Sequence, residues 1–204
     1  MSIYLIRHTT PLVEKGTCYG QSDLEVTDQF PDEAGVIQQY IPADIEAVYS
    51  SPLLRCRKLA EHLFPLHSIR FEHDLKELHC GEWEMLRWDD IPKEVIDPWM
   101  KDFVNETIPG GESFVVLFSR VRRCFEEILS TGKKTAIVAH GGVIRSILAH
   151  ITHTPLKDSF AAFSLHYGCV VRLDITGHGI QHEILSNIST VQEQHRPGHK
   201  LAEK

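Results

Sequence analysis

Histidines and arginines lie near the ends of three apolar runs in this sequence, and their chemistry suits phosphate. Arg7 and His8 follow the first run, Arg55 lies shortly after the second, and His140 follows the third. A neutral histidine whose other ring nitrogen is held by an acceptor can attack phosphorus. A guanidinium can bind two phosphate oxygens through parallel hydrogen bonds. Together these residues predict phosphoryl transfer through a phosphohistidine, without a metal ion.

A phosphate ester also needs a proton donor for its leaving oxygen, and residues 75–84 offer three carboxylates. Glu77, Glu82 and Glu84 are all candidates. A carboxylic acid can serve where burial or a neighbouring dianion raises its pKa. Composition alone does not choose among the three.

The arginines also have surface alternatives. Arg57 and Lys58 compete with Arg55, but a side chain two positions along a helix points to a different face, so we expect Arg57 in solvent. We expect Arg145, in the helix after His140, to pair with a surface carboxylate rather than to join the site.

Three short apolar runs, rich in strand-forming residues, must position these side chains: 3–6, 47–49 and 136–139. Helical patterns are predicted at about 32–40, 53–63, 113–129 and 143–151. We expect Ser51 to cap the second of these helices, with Pro52 in its first turn. Strands that alternate with helices indicate a mostly parallel sheet covered on both faces. Ligands of such sheets bind beyond the carboxyl ends of the strands, where the candidate residues fall.

The C-terminal part of the sequence predicts a hairpin, with 170–175 and 180–185 flanking a Thr-Gly-His-Gly turn. The predicted fold class is therefore α/β, a three-layer α/β/α sandwich whose mostly parallel sheet has one antiparallel edge strand. Residues 1–186 are expected to form one domain, and the polar residues 187–204 a loosely held tail. Residues 82–118 contain all three tryptophans, and we interpret them as an insertion over the strand ends. Ordinary packing of an irregular segment is an equal alternative.

Composition narrows the class of protein further. The 204 residues carry 21 basic and 28 acidic side chains, a net charge of −7, which argues against a nucleic-acid partner bound through a broad basic surface. No apolar run approaches the ~20 residues of a membrane helix, and we expect no secretion signal. Five cysteines without a C-x-x-C pair predict free thiols and a cytoplasmic location. No metal or other cofactor is expected, and the sequence does not indicate an oligomeric state.

Five segments share their order with a known family: 5–9, 50–57, 75–77 with 81–84, 110–113, and 138–145. Together they resemble the histidine phosphatase superfamily, also called the phosphoglycerate mutase-like family, over about residues 3–185. The resemblance implies that fold, and it implies that His8 is the nucleophile that is transiently phosphorylated. It further implies that Glu77 is the proton donor and that the groups neutralising the phosphoryl group are Arg7, Arg55 and His140.

Residues 7–11 followed by 16–23 are similar to alpha-ribazole phosphatases, a branch that removes phosphate from a nucleotide-loop precursor of cobalamin. Thr9 stands where the commonest pattern has glycine, and its hydroxyl could bind phosphate. Glu14 stands where many members, the mutases among them, carry asparagine. The expected substrate-binding residues are Thr9, Tyr19, Gly20, Gln21, Ser22 and Gly141.

The resulting prediction is a metal-independent phosphomonoesterase for a small-molecule ester, with alpha-ribazole 5′-phosphate as the expected substrate. A broad-specificity phosphatase is the main alternative. A phosphoglycerate mutase is disfavoured by Glu14, and a non-catalytic phosphate-binding protein is disfavoured by the full set of candidate residues.

Overall fold

A six-stranded sheet forms the centre of the molecule in the computed structural model, which describes residues 1–188. The strands are β1 (Ser2–Arg7), β2 (Ala47–Ser50), β3 (Ile69–Phe71), β4 (Thr135–Ala139), β5 (Val170–Thr176) and β6 (Gly179–Ser186). Their order across the sheet is β3-β2-β4-β1-β5-β6. The first four strands along the chain are parallel, whereas β5 is antiparallel to both of its neighbours.

Helices cover both faces of this sheet. The helices of residues 1–188 are α1 (Phe30–Gln38), α2 (Leu54–Leu63), α3 (Lys93–Lys101), α4 (Phe114–Ser130), α5 (Gly141–Thr152) and α6 (Ser159–Ala162), of which α3 packs in a separate core with the tryptophan-bearing segment. Successive side chains of a strand point to opposite faces. Ile3 and Leu5 of β1 therefore pack in the core formed with α4 and α5, whereas Tyr4 and Ile6 pack in the core formed with α1 and α2. The predicted three-layer α/β/α class is confirmed.

The start of α2 differs from the prediction. The N-cap is Leu53, and Pro52 precedes the helix. Ser51 is fully buried, and its hydroxyl accepts a 3.3 Å hydrogen bond from the Leu53 backbone while lying 2.8 Å from His140. The prediction of Ser51 as the cap was wrong because this serine belongs to the strand end and contacts a side chain from the neighbouring strand.

The tryptophan-bearing segment forms a small core of its own. Its buried members are Cys18, Cys80, Trp83, Ile91, Ile96 and Ile108. Trp83 packs edge-on against Trp99 with ring centroids 5.5 Å apart, and Trp88 stacks on Trp99 at 6.0 Å. Because α4 begins at Phe114, the last five residues of the predicted insertion belong to the helical layer over the sheet.

Three further observations bear on the sequence predictions. All five cysteines are buried and free of disulfides. No helix within residues 1–188 is long and apolar enough to cross a membrane. The predicted tail lies outside the described residues from position 189 onward.

Candidate active site

Two histidines leave the sheet side by side. His8 directly follows β1, and His140 directly follows β4, the parallel neighbour of β1. Their ring centroids lie 5.1 Å apart, and both residues are buried, with His8 2% exposed and His140 0%. The carboxyl ends of adjacent parallel strands thus bring together residues 132 positions apart in sequence, as the sequence predicted.

The backbone fixes the protonation pattern of the His8 ring. Its Nδ1 lies 2.7 Å from the carbonyl oxygen of Thr9. Since a carbonyl only accepts hydrogen bonds, Nδ1 carries the proton in the neutral ring and Nε2 carries the lone pair. The backbone N–H of His8 in turn donates to the Ala139 carbonyl at 3.0 Å. His8 is therefore held with a nucleophilic nitrogen at Nε2.

His140 is held neutral by its surroundings. Burial lowers the pKa of His140 well below its usual value, and the charges of Arg55 and Arg7, together with the neighbouring His8 ring, lower it further. Its Nε2 lies 2.8 Å from the Ser51 hydroxyl. A neutral ring here can become a cationic hydrogen-bond donor once an anion enters and supplies compensating charge.

The Cys56 thiol lies beside His140, with Sγ 3.4 Å from the imidazole Nε2. Burial raises the pKa of Cys56 to about 12, so the thiol stays protonated. Sequence reasoning missed Cys56 and the role of Ser51 at His140. Both lie just after the end of β2. Their position near a strand end is the feature of the sequence that could have indicated a contact with the site.

Arg7 lies against an aromatic ring on the His8 side of the site. Its guanidinium carbon is 4.0 Å from the centroid of the Tyr167 ring, which in turn lies 5.4 Å from the His8 ring. A Cβ at Gly141 would come within 3.4 Å of the same guanidinium carbon, so the glycine permits a close approach. Sequence reasoning missed Tyr167 because it lies in an irregular segment between α6 and β5.

Arg55 is a fully buried cation. Its Nη1 and Nη2 groups donate to the backbone carbonyls of Ser22 and Gly20, at 2.9 and 2.6 Å. Within residues 1–188 no carboxylate forms an ion pair with it. Burying a charge without a counter-charge is unfavourable, so this arrangement favours an incoming anion.

Two tyrosines connect the surroundings of the two arginines. The Tyr19 and Tyr167 hydroxyls are hydrogen-bonded to each other, and the Arg55 guanidinium lies 5.5 Å from the centre of the Tyr19 ring. Burial, followed by the neighbouring Tyr167, raises the pKa of Tyr19 well above its usual value. Tyr19 therefore remains a neutral hydroxyl between Arg7 and Arg55.

Glu77 lies at the N-terminus of α5. Its Oε2 accepts a 3.0 Å hydrogen bond from the Gly142 backbone, and Oε1 accepts one of 2.9 Å from Leu78. A Cβ at position 142 would lie 2.2 Å from Oε1. The absence of a side chain at Gly142 is thus what lets the carboxylate reach the end of the helix. A helix N-terminus also stabilises an anion there.

One arginine of α4 holds the segment that carries Glu77. Arg120 donates to the backbone carbonyls of Asp74, Lys76 and Glu77 at 2.8, 2.7 and 2.9 Å. It also forms a largely buried ion pair with Glu112, whose Oε1 accepts the His79 backbone N–H at 2.9 Å. The predicted segment 110–113 therefore contacts the site through Glu112.

The other two carboxylates of the 75–84 segment lie elsewhere. Glu82 is exposed. Glu84 accepts hydrogen bonds from the backbone N–H groups of Gly20, Gln21 and Ser22, and from the Ser22 hydroxyl at 2.6 Å. The structure therefore separates three carboxylates that the sequence left equivalent.

Among the predicted substrate-binding residues, Thr9 differs from Gln21 and Ser22 in its hydrogen bonding. The Thr9 hydroxyl is fully buried and has no hydrogen-bond partner among the described residues. The polar groups of Gln21 and Ser22 are instead engaged within the protein, since the Gln21 amide donates to the Glu77 carbonyl at 3.0 Å and the Ser22 hydroxyl to Glu84. Glu14 is exposed, with its carboxylate 4.0 Å from Arg87.

The structure also decides between Arg55 and its rivals. Arg57 is exposed, and Lys58 pairs with Glu25. The prediction for Arg145 was wrong, because this residue is 3% exposed and not at the surface. Its guanidinium donates to two backbone carbonyls, that of Ser159, the first residue of α6, and that of Phe163, which follows α6. The bond to Phe163 is 2.7 Å long.

No three histidine, cysteine, aspartate or glutamate side chains in the described part of the chain are grouped so that they could hold a metal ion.

Comparison with known proteins yields consistent matches. The family model described as histidine phosphatase superfamily (branch 1) matches residues 3–188. A metal-independent phosphoserine phosphatase of Arabidopsis thaliana is 31% identical over 163 residues, which span 74% of this chain and 68% of that protein. The crystal structure of the alpha-ribazole phosphatase from Shigella flexneri superposes with a TM-score of 0.81 at 23% identity, covering 93% of this chain and 99% of that one. A mycobacterial glucosyl-3-phosphoglycerate phosphatase superposes with a TM-score of 0.74 at 20% identity, covering 93% and 99%.

Proposed function

We propose that His8 carries the phosphoryl group during ester hydrolysis. The premise is that this chain belongs to branch 1 of the histidine phosphatase superfamily and is a phosphatase. The observation that carries the proposal is the His8 ring, whose Nδ1 is bound to the Thr9 carbonyl beside a second buried histidine. This geometry leaves the lone pair on Nε2. Arg55, buried without a carboxylate partner among the described residues, provides the positive charge that a phosphate dianion needs.

In the first step, Nε2 of His8 attacks phosphorus in line with the bond to the leaving oxygen. The N–P bond forms as the P–O bond breaks, and protonated Glu77 gives its proton to the leaving alcohol. Arg7, Arg55 and His140 stabilise the charge on the three phosphoryl oxygens. Such a site accelerates the reaction by positioning and by electrostatic stabilisation.

In the second step, a water molecule attacks the phosphohistidine. Glu77, now a carboxylate, accepts a proton from that water as the O–P bond forms. The N–P bond breaks, its electron pair returns to Nε2, and inorganic phosphate leaves. The proton taken from water leaves Glu77 protonated, so His8 and Glu77 have the states in which the cycle began.

For the substrate, we propose alpha-ribazole 5′-phosphate. Support comes from the resemblance of residues 7–11 and 16–23 to that branch. The buried Thr9 hydroxyl adds a donor that could bind a phosphate oxygen. Phosphoserine is a second candidate, because the Arabidopsis thaliana relative at 31% identity is named for that substrate.

A panel of phosphate esters tests the proposal. It should include alpha-ribazole 5′-phosphate, phosphoserine, 3-phosphoglycerate, simple sugar phosphates and p-nitrophenyl phosphate. We expect metal-independent release of phosphate, with the highest kcat/KM on alpha-ribazole 5′-phosphate, and loss of turnover in His8→Ala. His178→Ala is the matched control, because His178 is exposed in the turn between β5 and β6.

Other outcomes of the panel would replace the proposal. A higher kcat/KM on phosphoserine would transfer the substrate assignment to that ester. Phosphoryl transfer between phosphoglycerates that exceeds hydrolysis would indicate a mutase. Equal activity of His8→Ala and wild type would refute the role of His8.

A further inference from the structure

We propose that Glu84 is a positioning residue of this site, which acts on Arg55 through the backbone of residues 20–22. The inference rests on the proposed function, in which Arg55 binds the phosphoryl group. Glu84 lies in the tryptophan-bearing segment, after the short turn Gly81–Trp83, and it is half-buried. The 20–22 segment binds Glu84 through its backbone N–H groups and Arg55 through its backbone carbonyls.

On one side, the Glu84 carboxylate binds five donors. Oε1 accepts the backbone N–H groups of Gln21 and Cys80 at 2.7 and 3.1 Å. Oε2 accepts the N–H groups of Gly20 and Ser22 at 3.0 and 3.1 Å, and the Ser22 hydroxyl at 2.6 Å. Three successive N–H groups can converge on one carboxylate only while the backbone keeps a concave turn of the kind that binds anions.

On the other side, the same residues hold Arg55. The carbonyls of Gly20 and Ser22 accept its two terminal N–H groups, at 2.6 and 2.9 Å. These are backbone contacts, so the direction of the guanidinium depends on the shape of the turn. Glu84 and Arg55 thus bind opposite faces of one short segment, and the carboxylate that shapes the turn is separated from the cation by a single layer of backbone.

The charge state of Glu84 matches this role. Burial raises the pKa of Glu84, but the hydrogen bonds from Ser22 and from backbone N–H groups outweigh it, so the pKa is lowered overall. The carboxylate is therefore ionised at neutral pH. An ionised acceptor is needed because a side-chain amide has only one acceptor oxygen and would present N–H groups to at least two of the donors.

The turn has little freedom to adapt. A Cβ at Gly20 would lie 1.8 Å from the Leu78 carbonyl oxygen and 2.9 Å from the Cys80 sulfur, so the backbone is already pressed against the 78–80 segment. Loss of the carboxylate would leave N–H groups unsatisfied in this space. Unsatisfied buried groups cost free energy, and the turn would rearrange to pair them. The two carbonyls that orient Arg55 would move with it.

A double-mutant cycle tests the link between the two residues. Glu84→Gln, Arg55→Lys and the double variant are compared by calorimetric affinity for inorganic phosphate and by kcat/KM on p-nitrophenyl phosphate. By analogy with groups that orient metal ligands, we expect Glu84→Gln to weaken both about 10- to 100-fold when Arg55 is present. In the Arg55→Lys background the same substitution should change either value by less than about threefold.

Controls separate this effect from a general loss of stability. Glu94→Gln replaces an exposed carboxylate on α3 and should leave both values unchanged. Ser22→Ala removes one donor to Glu84 and serves if Glu84→Gln does not fold. It should reduce phosphate affinity by about threefold to tenfold, again only when Arg55 is present. Thermal unfolding of each variant shows that the assays are made on folded protein.

The outcomes distinguish this inference from the proposed function. Equal losses in both Arg55 backgrounds, or no loss on Glu84→Gln, would overturn the positioning role while leaving the phosphatase mechanism intact. Coupling in phosphate binding without turnover of any ester would overturn the mechanism and support the role of Glu84. Failure of wild type to bind phosphate would overturn both.

Discussion

A methyl group added at Gly142 would collide with the carboxylate that we propose as the proton donor. The Cβ of Gly142→Ala would lie 2.2 Å from Oε1 of Glu77 and 3.1 Å from Cδ2 of Leu117, and atoms that are not bonded do not tolerate the first distance. Glu77 would have to rotate away from α5 and give up its 3.0 Å hydrogen bond from the residue 142 backbone. Protein stability should change little, because alanine has a higher helix propensity than glycine.

The expected effect is selective for esters with poor leaving groups. A positioned general acid contributes about 10²- to 10⁴-fold, which corresponds to about 2.7 to 5.4 kcal/mol of activation free energy. We therefore expect kcat/KM on an alkyl phosphate, which reports transfer of the phosphoryl group to His8, to fall by about 10² to 10⁴. On p-nitrophenyl phosphate the loss of kcat/KM should be no more than about tenfold, because nitrophenolate leaves without a proton. The kcat should fall on both esters, because Glu77 also accepts the proton of water in the second step.

The assay compares kcat/KM on the two esters for wild type, Gly142→Ala and a matched control. Gly35→Ala is that control, since Gly35 lies in α1 and a Cβ there meets nothing within 4 Å. It should retain both activities. Equal losses of kcat/KM in Gly142→Ala on both esters, or no loss on either, would refute the assignment of Glu77 as the acid.

Three further predictions concern residues around the site. Arg120→Lys keeps the charge but cannot reach three carbonyls and Glu112 together. It should lower the free energy of unfolding in urea by about 1.5 to 3 kcal/mol and reduce kcat; unchanged values would contradict the proposed support of Glu77. Burial lowers the pKa of His140 in the folded state, whereas in the unfolded chain this histidine has its ordinary pKa of about 6.5. The free energy of unfolding should therefore keep its full value above pH 6.5 and fall by up to about 1.4 kcal/mol per pH unit below it. Urea unfolding at pH 7 and 5.5 measures this fall, which should be smaller in His140→Gln than in wild type. The same fall in both proteins would contradict the assignment of this pH dependence to His140. Thr9→Val removes a buried hydroxyl that has no hydrogen-bond partner among the described residues, so it should not lower the thermal midpoint. It should weaken phosphate binding by about tenfold in calorimetry if that hydroxyl binds phosphate, and unaltered affinity would show that it does not.

The strand ends could be predicted because they follow from local sequence. Apolar runs of four or so residues indicate buried strands, and parallel strands end at a common edge. His8 and His140 were placed together on that argument alone. Arg55 followed because a helix begins shortly after β2 and a residue in its first turn stays near the strand end. β3 was missed, since three residues from Ile69 to Phe71 are too short to show a pattern.

The groups that orient these residues could not be predicted in the same way. Tyr167 lies in an irregular segment, where neither periodicity nor spacing marks a functional position. Arg120 contacts carbonyls 43 to 46 residues away, and Glu84 contacts N–H groups 62 to 64 residues away. Backbone carbonyls and N–H groups occur at almost every residue, so the sequence carries no sign of which ones a side chain will bind.

Ser51 shows how a correct local rule can give a wrong result. Serine before a helical pattern is a common N-cap, and the rule identified a residue close to the true start of α2. The hydroxyl lies instead 2.8 Å from His140, which follows β4 and stands 89 residues later in the sequence. A contact between neighbouring strands thus took precedence over the local preference of the residue type.

The most direct test of the account is to trap the phosphorylated enzyme. Wild type, His8→Ala and Glu77→Gln are mixed with ³²P-labelled p-nitrophenyl phosphate, quenched in alkali and digested. We predict an acid-labile, alkali-stable label on the peptide that contains His8, more of it in Glu77→Gln, and none in His8→Ala. Turnover by wild type without such a label, or an equal label in His8→Ala, would contradict the proposed phosphohistidine at His8.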